Sequence, residues 1–225
     1  MKNPASQTTK ELLHIYELLY NHFGPLHWWP ADTPFEVMVG AILTQNTSWK
    51  NVEKAIANLK EQGKLSPEKI KRSRRQTLAR LIRPSGYFNQ KAERLQDFAD
   101  YFVRNYRGDW RRMAKRETAE LRRELLALRG IGPETADSIL LYALYKTVFV
   151  VDAYTRRAFS RLGHIPPDAG YETTQKFFVD HLPADQKLYN EFHAQVVYLG
   201  KDYCRPRPKC DLCPLATLER CRVEK

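Results

Sequence analysis

The chain has 225 residues, of which 43% are hydrophobic and 28% are charged. This composition suits one large or two small folded domains and excludes a disordered chain. No apolar run reaches the roughly 18 residues of a membrane helix, and the first residues hold no signal-peptide core. We therefore expect no membrane association and a cytoplasmic location.

Helical spacing of apolar residues recurs along most of the chain. In chain order it predicts helices over Lys10–His22, Phe35–Leu43, 48–59, a segment opening at Ser66 and Pro67, Asn89–Tyr106, Glu117–Leu128, Glu134–Tyr145, Asp152–Leu162, Tyr171–His181 and Tyr189–Tyr198. Residues Val148–Val151 form a short β-like run that is too isolated to build a sheet. The sequence therefore predicts an all-α fold.

Basic residues are concentrated in the middle of the chain. Residues 64–129 contain 19 Lys and Arg against 8 Asp and Glu, a surplus that equals the whole net charge of +11. A basic surplus confined to one segment is typical of a surface that faces a polyanion such as DNA. A generally basic protein without that partner is the alternative.

A glycine-rich turn separates two predicted helices at Leu128–Pro133. Gly130 and Gly132 flank Ile131, and such a turn can direct backbone N–H groups outward, beside the positive end of the next helix. It could hold a DNA phosphate without reading sequence, or it could be a plain helix–helix turn.

Asp152 follows an apolar run and precedes a predicted helix. That position is typical of a helix N-cap. A carboxylate at the edge of an apolar wall could also stabilise a cationic sugar and activate water. One residue can serve both purposes, so both interpretations stay open.

The cysteines all lie within the last 22 residues, at Cys204, Cys210, Cys213 and Cys221. Four thiolates around one CxxC pair predict a metal site. A [4Fe-4S] cluster is favoured over zinc, because four-cysteine zinc sites more often contain two CxxC pairs. The surrounding segment is too short to pack a core alone, so the metal should hold it folded.

These motifs together resemble the helix-hairpin-helix DNA glycosylases of the endonuclease III type. The resemblance rests on Leu128–Ala136, Val150–Asp152 and the four cysteines. Upstream, Ile42–Thr47 is similar to the family's glutamine-bearing helix end, and Ser85–Ala92 is similar to its wedge loop. The matches run in family order from about residue 33 to the C-terminus.

The resemblance implies two helical domains with a DNA cleft between them. A six-helix barrel with the helix-hairpin-helix motif is expected over 27–146. A second domain is expected from 1–26 and 147–225, with the iron–sulfur loop at 201–225. The implied partner is double-stranded DNA with a damaged base. We expect a monomer associated with the nucleoid.

The resemblance also implies roles for individual residues. Asp152 corresponds to the catalytic carboxylate, and Gln45 would fill the gap that the flipped base leaves. Further DNA contacts are implied at the wedge loop and the hairpin, namely Tyr87, Phe88, Asn89, Gly130, Ile131 and Gly132.

One position departs from the bifunctional members of the family, which carry a lysine in the helix after the hairpin. This chain has Glu134 there, and a carboxylate cannot form a Schiff base. Lys146 lies about three turns further along the helix and is not expected to replace that lysine. We therefore expect a monofunctional glycosylase, in which water attacks and an intact abasic site is left.

Three tryptophans, Trp28, Trp29 and Trp49, flank the helix predicted over Phe35–Leu43. Segments near the glutamine line the base pocket in the family, and Thr44–Trp49 is similar to the 3-methyladenine glycosylases. Indole rings favour a cationic ring such as an alkylated purine, so we expect 3-methyladenine or a related base as the substrate. Packing of the tryptophans in a core or domain interface is the alternative.

Other functions stay open on the sequence alone. One is a bifunctional glycosylase/AP lyase for oxidised pyrimidines. Another is a non-catalytic DNA-binding module in which Asp152 only caps a helix. A redox protein built around the cluster is disfavoured, because neither the basic segment nor the hairpin serves electron transfer.

Overall fold

The computed structural model describes residues 6–218 and divides the chain into two compact units. The central unit is Trp29–Lys146, and the terminal unit combines Met1–Trp28 with Thr147–Lys225. The boundary expected between residues 26 and 27 falls between residues 28 and 29.

Helices make up most of both units. Among residues 6–218 they are α1 (Gln7–Phe23), α2 (Pro34–Leu43), α3 (Trp49–Glu61), α4 (Pro67–Arg72), α5 (Arg75–Leu81), α6 (Phe88–Tyr106), α7 (Trp110–Ala114), α8 (Thr118–Leu126), α9 (Pro133–Ser138), α10 (Ala153–Arg161), α11 (Tyr171–His181) and α12 (Gln186–Asp202). A π-helical turn, Ile139–Ala143, continues α9. The all-α prediction is confirmed, and within the described range no helix is long and apolar enough to cross a membrane.

The central unit is built around α2. The Thr33 side chain accepts a hydrogen bond from the amide of Glu36 (3.2 Å), and Pro34 occupies the first turn, so the helix begins where the sequence predicts. Every residue from Phe35 to Leu43 is buried. The Phe35 ring stacks on Phe102 of α6 with centroids 5.9 Å apart, and this apolar packing anchors α2 against α6.

A buried ion pair joins the two helices of the hairpin. Arg122 of α8 donates to both oxygens of Asp137 in α9, at 2.8 and 3.1 Å, and Asp137 has no exposed surface. Removing one partner of such a pair would leave a buried charge without its counter-charge and destabilise the fold. The pair therefore fixes the two arms of the hairpin relative to each other.

The terminal unit has an aromatic core. Phe149 and Phe178 stack with centroids 4.1 Å apart, and Phe159 and Phe192 pack against them. Helices α10 and α12 cross closely at Gly200, where an added Cβ would lie 2.4 Å from the Tyr154 ring. Gly200 therefore permits an approach that any side chain would obstruct.

Residues Val148–Val151 lie in a loop, and no strand is formed within the described part of the chain, as expected for a β-like run too isolated to build a sheet. Other local predictions differ from the structure. The helix predicted over Glu134–Tyr145 changes from α to π at Ile139. The short helices α5 and α7 were not predicted, because few apolar repeats fit in so few residues.

Candidate active site and DNA interface

The hairpin turn exposes its two glycines and buries the aliphatic residue between them. Gly130 has a positive φ of 78°, while Ile131 is 4% exposed and anchors the turn in the core. A Cβ on Gly130 would lie 2.2 Å from Nε of Arg94, whereas a Cβ on Gly132 would have no neighbour within 4 Å. The surface beside the Cα of Gly132, called here the outer face of the hairpin, is therefore open to a ligand. The space beside the Cα of Gly130 is occupied by the Arg94 side chain.

Gln45 is tied to this hairpin. Its Nε2 donates to the carbonyl of Gly130 (3.0 Å) and to Oγ1 of Thr135 (2.9 Å), and its Oε1 accepts a hydrogen bond from Arg94. The glutamine helix end, the hairpin and α6 thus share one hydrogen-bond network. The predicted insertion of Gln45 into DNA would require these bonds to break or rearrange.

A buried lysine stabilises the wedge loop through hydrogen bonds to backbone carbonyls. Lys91 is 1% exposed, and its Nζ donates to the carbonyls of Leu43 (2.9 Å) and Ser85 (2.6 Å). Burial lowers the pKa of Lys91 from 10.5 to about 8. The lysine links the end of α2 to the start of the loop that precedes α6.

The predicted wedge residues, 87–89, precede this lysine in the sequence. Tyr87 is 64% exposed and has a left-handed φ of 45°. Phe88 is partly buried, with the Arg83 guanidinium 5.9 Å from its ring, and Asn89 is exposed. An exposed large aromatic in an uncommon backbone conformation is typical of a binding residue, so Tyr87 is the strongest wedge candidate.

The structure brings two of the three predicted pocket tryptophans together. Trp29 packs edge-on against Trp49 at 5.1 Å and contacts Tyr142 at 5.4 Å. Its indole also lies against Gly40, where an added Cβ would be 3.1 Å from Nε1. Trp29 and Trp49 are each partly exposed, so this cluster presents aromatic surface to solvent.

Trp28 belongs to the terminal unit, unlike its neighbour in sequence. Its ring packs edge-on against the Tyr198 ring with centroids 6.4 Å apart. The Lys201 ammonium lies 5.1 Å from the centroid of the Tyr198 ring. The π-helical turn places Tyr142 beside Trp29, a contact that the sequence did not indicate. Insertions of this kind in α-helices often occur at functional sites.

Asp152 caps α10 with one oxygen of its carboxylate. Oδ1 accepts hydrogen bonds from the amide of Thr155 (2.7 Å) and from its hydroxyl (2.8 Å). Oδ2 lies 3.7 Å from Nε2 of His193, and the Asp152 side chain is 12% exposed. The capping interpretation is confirmed, while the catalytic role stays a prediction.

No amine lies at the start of the helix after the hairpin. Glu134 occupies the first turn of α9 and is exposed. Lys146 lies beyond the π-helical turn, and its Nζ donates to the backbone carbonyl of Arg116 at 2.8 Å. The side chain of Lys146 is therefore engaged in fixing the loop before α8.

The cysteine loop is partly covered by the structure. Cys204, Cys210 and Cys213 are each partly exposed, and Cys221 lies outside the described residues. Within residues 6–218, no three His, Cys, Asp or Glu side chains are arranged to hold a metal. Arg161 of α10 donates to Sγ of Cys204 at 3.3 Å.

Comparison with known families matches residues 39–184 to the HhH-GPD superfamily base excision DNA repair proteins. The chain belongs to this superfamily. A Methanocaldococcus jannaschii protein named "Putative DNA repair glycosylase" is 51% identical over 203 residues, covering 89% of this chain and 92% of the relative. Endonuclease III of Thermotoga maritima is 30% identical over 181 residues, covering 80% and 79%. The protein is therefore a DNA glycosylase of base excision repair.

Solved structures show the same architecture. The Helicobacter pylori 3-methyladenine DNA glycosylase MagIII, bound to 1,N6-ethenoadenine, matches with a TM-score of 0.76 and 31% identity over 87% of this chain and 98% of its own. A non-covalent endonuclease III–DNA complex matches with a TM-score of 0.81 and 23% identity over 96% of each chain. The latter likeness concerns the fold alone.

Proposed function

We propose that this HhH-GPD glycosylase is monofunctional and removes an alkylated purine, such as 3-methyladenine, from double-stranded DNA. The observation that carries the proposal is Glu134, exposed in the first turn of α9, where the bifunctional enzymes that the sequence resembles have a lysine. Without an amine, water is the nucleophile, and the C1′–N bond breaks with its electron pair going to the departing base.

In this proposal Asp152 supplies the negative charge at the reacting sugar. Its carboxylate lies at the N-terminus of α10 and accepts two hydrogen bonds from Thr155 on one oxygen. An ionised carboxylate stabilises the cationic sugar that forms as the base leaves, and it can accept a proton from the attacking water.

The choice of base is supported by the aromatic cluster of Trp29, Trp49 and Tyr142. Electron-rich rings attract a cationic purine more strongly than a neutral one. The glycosidic bond of such a base is already weak, so modest stabilisation of the transition state is sufficient. MagIII, a 3-methyladenine DNA glycosylase whose structure holds 1,N6-ethenoadenine, is consistent with a modified adenine as the substrate.

The proposed DNA grip uses the open outer face of the hairpin at Gly132, with Tyr87 as the wedge. We also propose a [4Fe-4S] cluster on Cys204, Cys210, Cys213 and Cys221, which would fold the C-terminal segment. Three partly exposed thiols, of which Cys204 lies 3.3 Å from Arg161, suit such a group, and zinc is the alternative. A visible absorption spectrum of the purified protein distinguishes them, because zinc is colourless.

The test is a single-turnover base-release assay on duplexes with alkylated, oxidised or deaminated bases, each repeated with borohydride. We expect release from alkylated purines and no trapped protein–DNA adduct. Asp152→Asn should lower release by at least about two orders of magnitude while duplex binding survives. A borohydride-trapped adduct, or release confined to oxidised pyrimidines, would show the enzyme to be a bifunctional glycosylase/lyase.

The pocket is tested separately. Trp49→Ala should lower release of the alkylated base, because it removes one wall of the aromatic cluster. Trp110→Ala is the matched control, since Trp110 packs against Tyr145 elsewhere in the central unit. Equal losses in both variants would mean that tryptophan packing, rather than base recognition, explains the effect.

A further inference from the structure

His193 is a buried titratable residue beside the carboxylate of Asp152. It lies in α12, is 5% exposed, and its Nε2 is 3.7 Å from Oδ2 of Asp152. Oδ1 of the same carboxylate is already engaged by Thr155. The imidazole therefore lies against the one oxygen that the helix cap does not use.

Helices α10 and α1, which pack against α12, bury uncharged residues. The residues that α10 buries are Thr155, Ala158 and Phe159, and those that α1 buries are Leu12, Ile15 and Leu19. The charge of Asp152 acts on His193 and favours the protonated ring. Tyr189 of α12 is also titratable, but burial raises its pKa and keeps it a neutral phenol.

The protonation state of the imidazole follows from its burial. Burial lowers the pKa of His193 from its ordinary value of 6.5, and the nearby carboxylate only partly opposes that shift. The ring is therefore neutral at pH 7. A neutral ring packed 3.7 Å from Oδ2 restricts the space open to that oxygen without neutralising the charge of the carboxylate.

We propose that His193 is a positioning residue for Asp152, holding its second oxygen while leaving the negative charge available to the sugar. The proposal rests on the catalytic role of Asp152 proposed above. Protonation of His193 would create a buried ion pair with Asp152. That pair would stabilise the carboxylate before the reaction and weaken its attraction for the developing cation.

Two variants test this role, His193→Asn and His193→Phe, with base release measured from pH 5 to pH 8. His193→Phe replaces the polar ring beside Oδ2 with an apolar one, and release at pH 7 should fall about tenfold or more, because the carboxylate is displaced from its position. His193→Asn keeps a polar group and should retain most of the activity at pH 7. Its loss of activity in acid should begin at lower pH than in the wild type.

Binding to undamaged duplex should be unchanged in both variants, which separates positioning from DNA affinity. His14→Asn is the matched control, since His14 is exposed on α1 and its pH profile should equal that of the wild type. If His193→Phe proves unfolded by circular dichroism, the pH profile of His193→Asn decides. A wild-type profile in His193→Asn overturns the proposal.

Asp152→Asn, measured in parallel, separates this inference from the proposed function. If Asp152→Asn retains wild-type release, the catalytic assignment itself is wrong. If Asp152→Asn is inactive while the His193 variants match the wild type in rate and pH profile, only the positioning role is wrong.

Discussion

At the scale of single residues, the two oxygens of Asp152 have different surroundings. One is committed to Thr155 in the helix cap, and the other lies beside His193. A carboxylate fixed in this way loses little further freedom when substrate binds, which is the advantage of a preorganised electrostatic site. The two glycines of the hairpin also differ: the positive φ of Gly130 is required by the turn, whereas Gly132 leaves open space beside its Cα.

We expect alanine to affect a different property at each hairpin glycine: stability at Gly130 and duplex binding at Gly132. Gly130→Ala should cost about 1–2 kcal/mol of stability for the left-handed backbone alone, and more because Arg94 must move. Gly132→Ala meets no atom within 4 Å and should cost under about 1 kcal/mol. Its methyl group should nevertheless weaken duplex binding by obstructing the phosphate. Urea unfolding and duplex titration of both variants measure these effects, and unchanged binding in Gly132→Ala contradicts the proposed phosphate contact.

At the scale of elements, the long helices were predictable because their apolar periodicity is clear. The Thr33 cap and Pro34 identify the start of α2 from sequence alone. The change to π geometry at Ile139 was not predictable, since α9 and the π-helical turn are buried almost continuously and show no periodic face. The π-helical turn is what places Tyr142 against Trp29, so this part of the aromatic cluster was missed.

Lys91 and His193 escaped sequence analysis for a different reason. Each interrupts an apolar helix face, which indicates a buried polar group but not its partner. The acceptors of Lys91 lie 48 and 6 positions away in sequence, and His193 meets Asp152 from a different helix. Partners of this kind are set by tertiary packing, whereas caps and turns are set locally.

Lys91 yields a prediction about how α2 and the wedge loop are joined. Lys91→Met should lower the free energy of unfolding by about 1–3 kcal/mol at pH 7, because two buried carbonyls lose their donor. The folded protein releases the Lys91 proton near pH 8, while the unfolded chain keeps it to about pH 10.5. The unfolded state thus binds more protons in this window, and the contribution of Lys91 to stability rises with pH there.

The Met variant should lack that rise, so its deficit relative to the wild type should be larger at pH 9.5 than at pH 7. Urea unfolding at both values measures this. Lys54→Met, at an exposed position of α3, is the control and should match the wild type at both. A constant deficit for Lys91→Met across the two pH values would contradict the lowered pKa.

At the scale of the whole molecule, charge is divided unequally along the chain. The surplus of 19 basic over 8 acidic residues in 64–129 lies entirely within the central unit. That unit also contains the hairpin and the wedge loop. We therefore expect the central unit to supply most of the salt-dependent binding to duplex DNA, through released counterions.

Arg129 offers the sharpest test of this expectation, because it directly precedes Gly130 of the hairpin and its side chain is 80% exposed. Arg129→Ala should weaken binding about equally for all duplex sequences and reduce the slope of log affinity against log salt by about 1. Lys176→Ala is the matched control, since Lys176 is 75% exposed on α11 of the terminal unit. Both cations pair with a surface carboxylate, Glu93 for Arg129 and Asp180 for Lys176, so loss of an ion pair is common to the two variants. A slope that changes equally in both variants, or in neither, would mean that the hairpin side of the central unit does not carry the phosphate contacts.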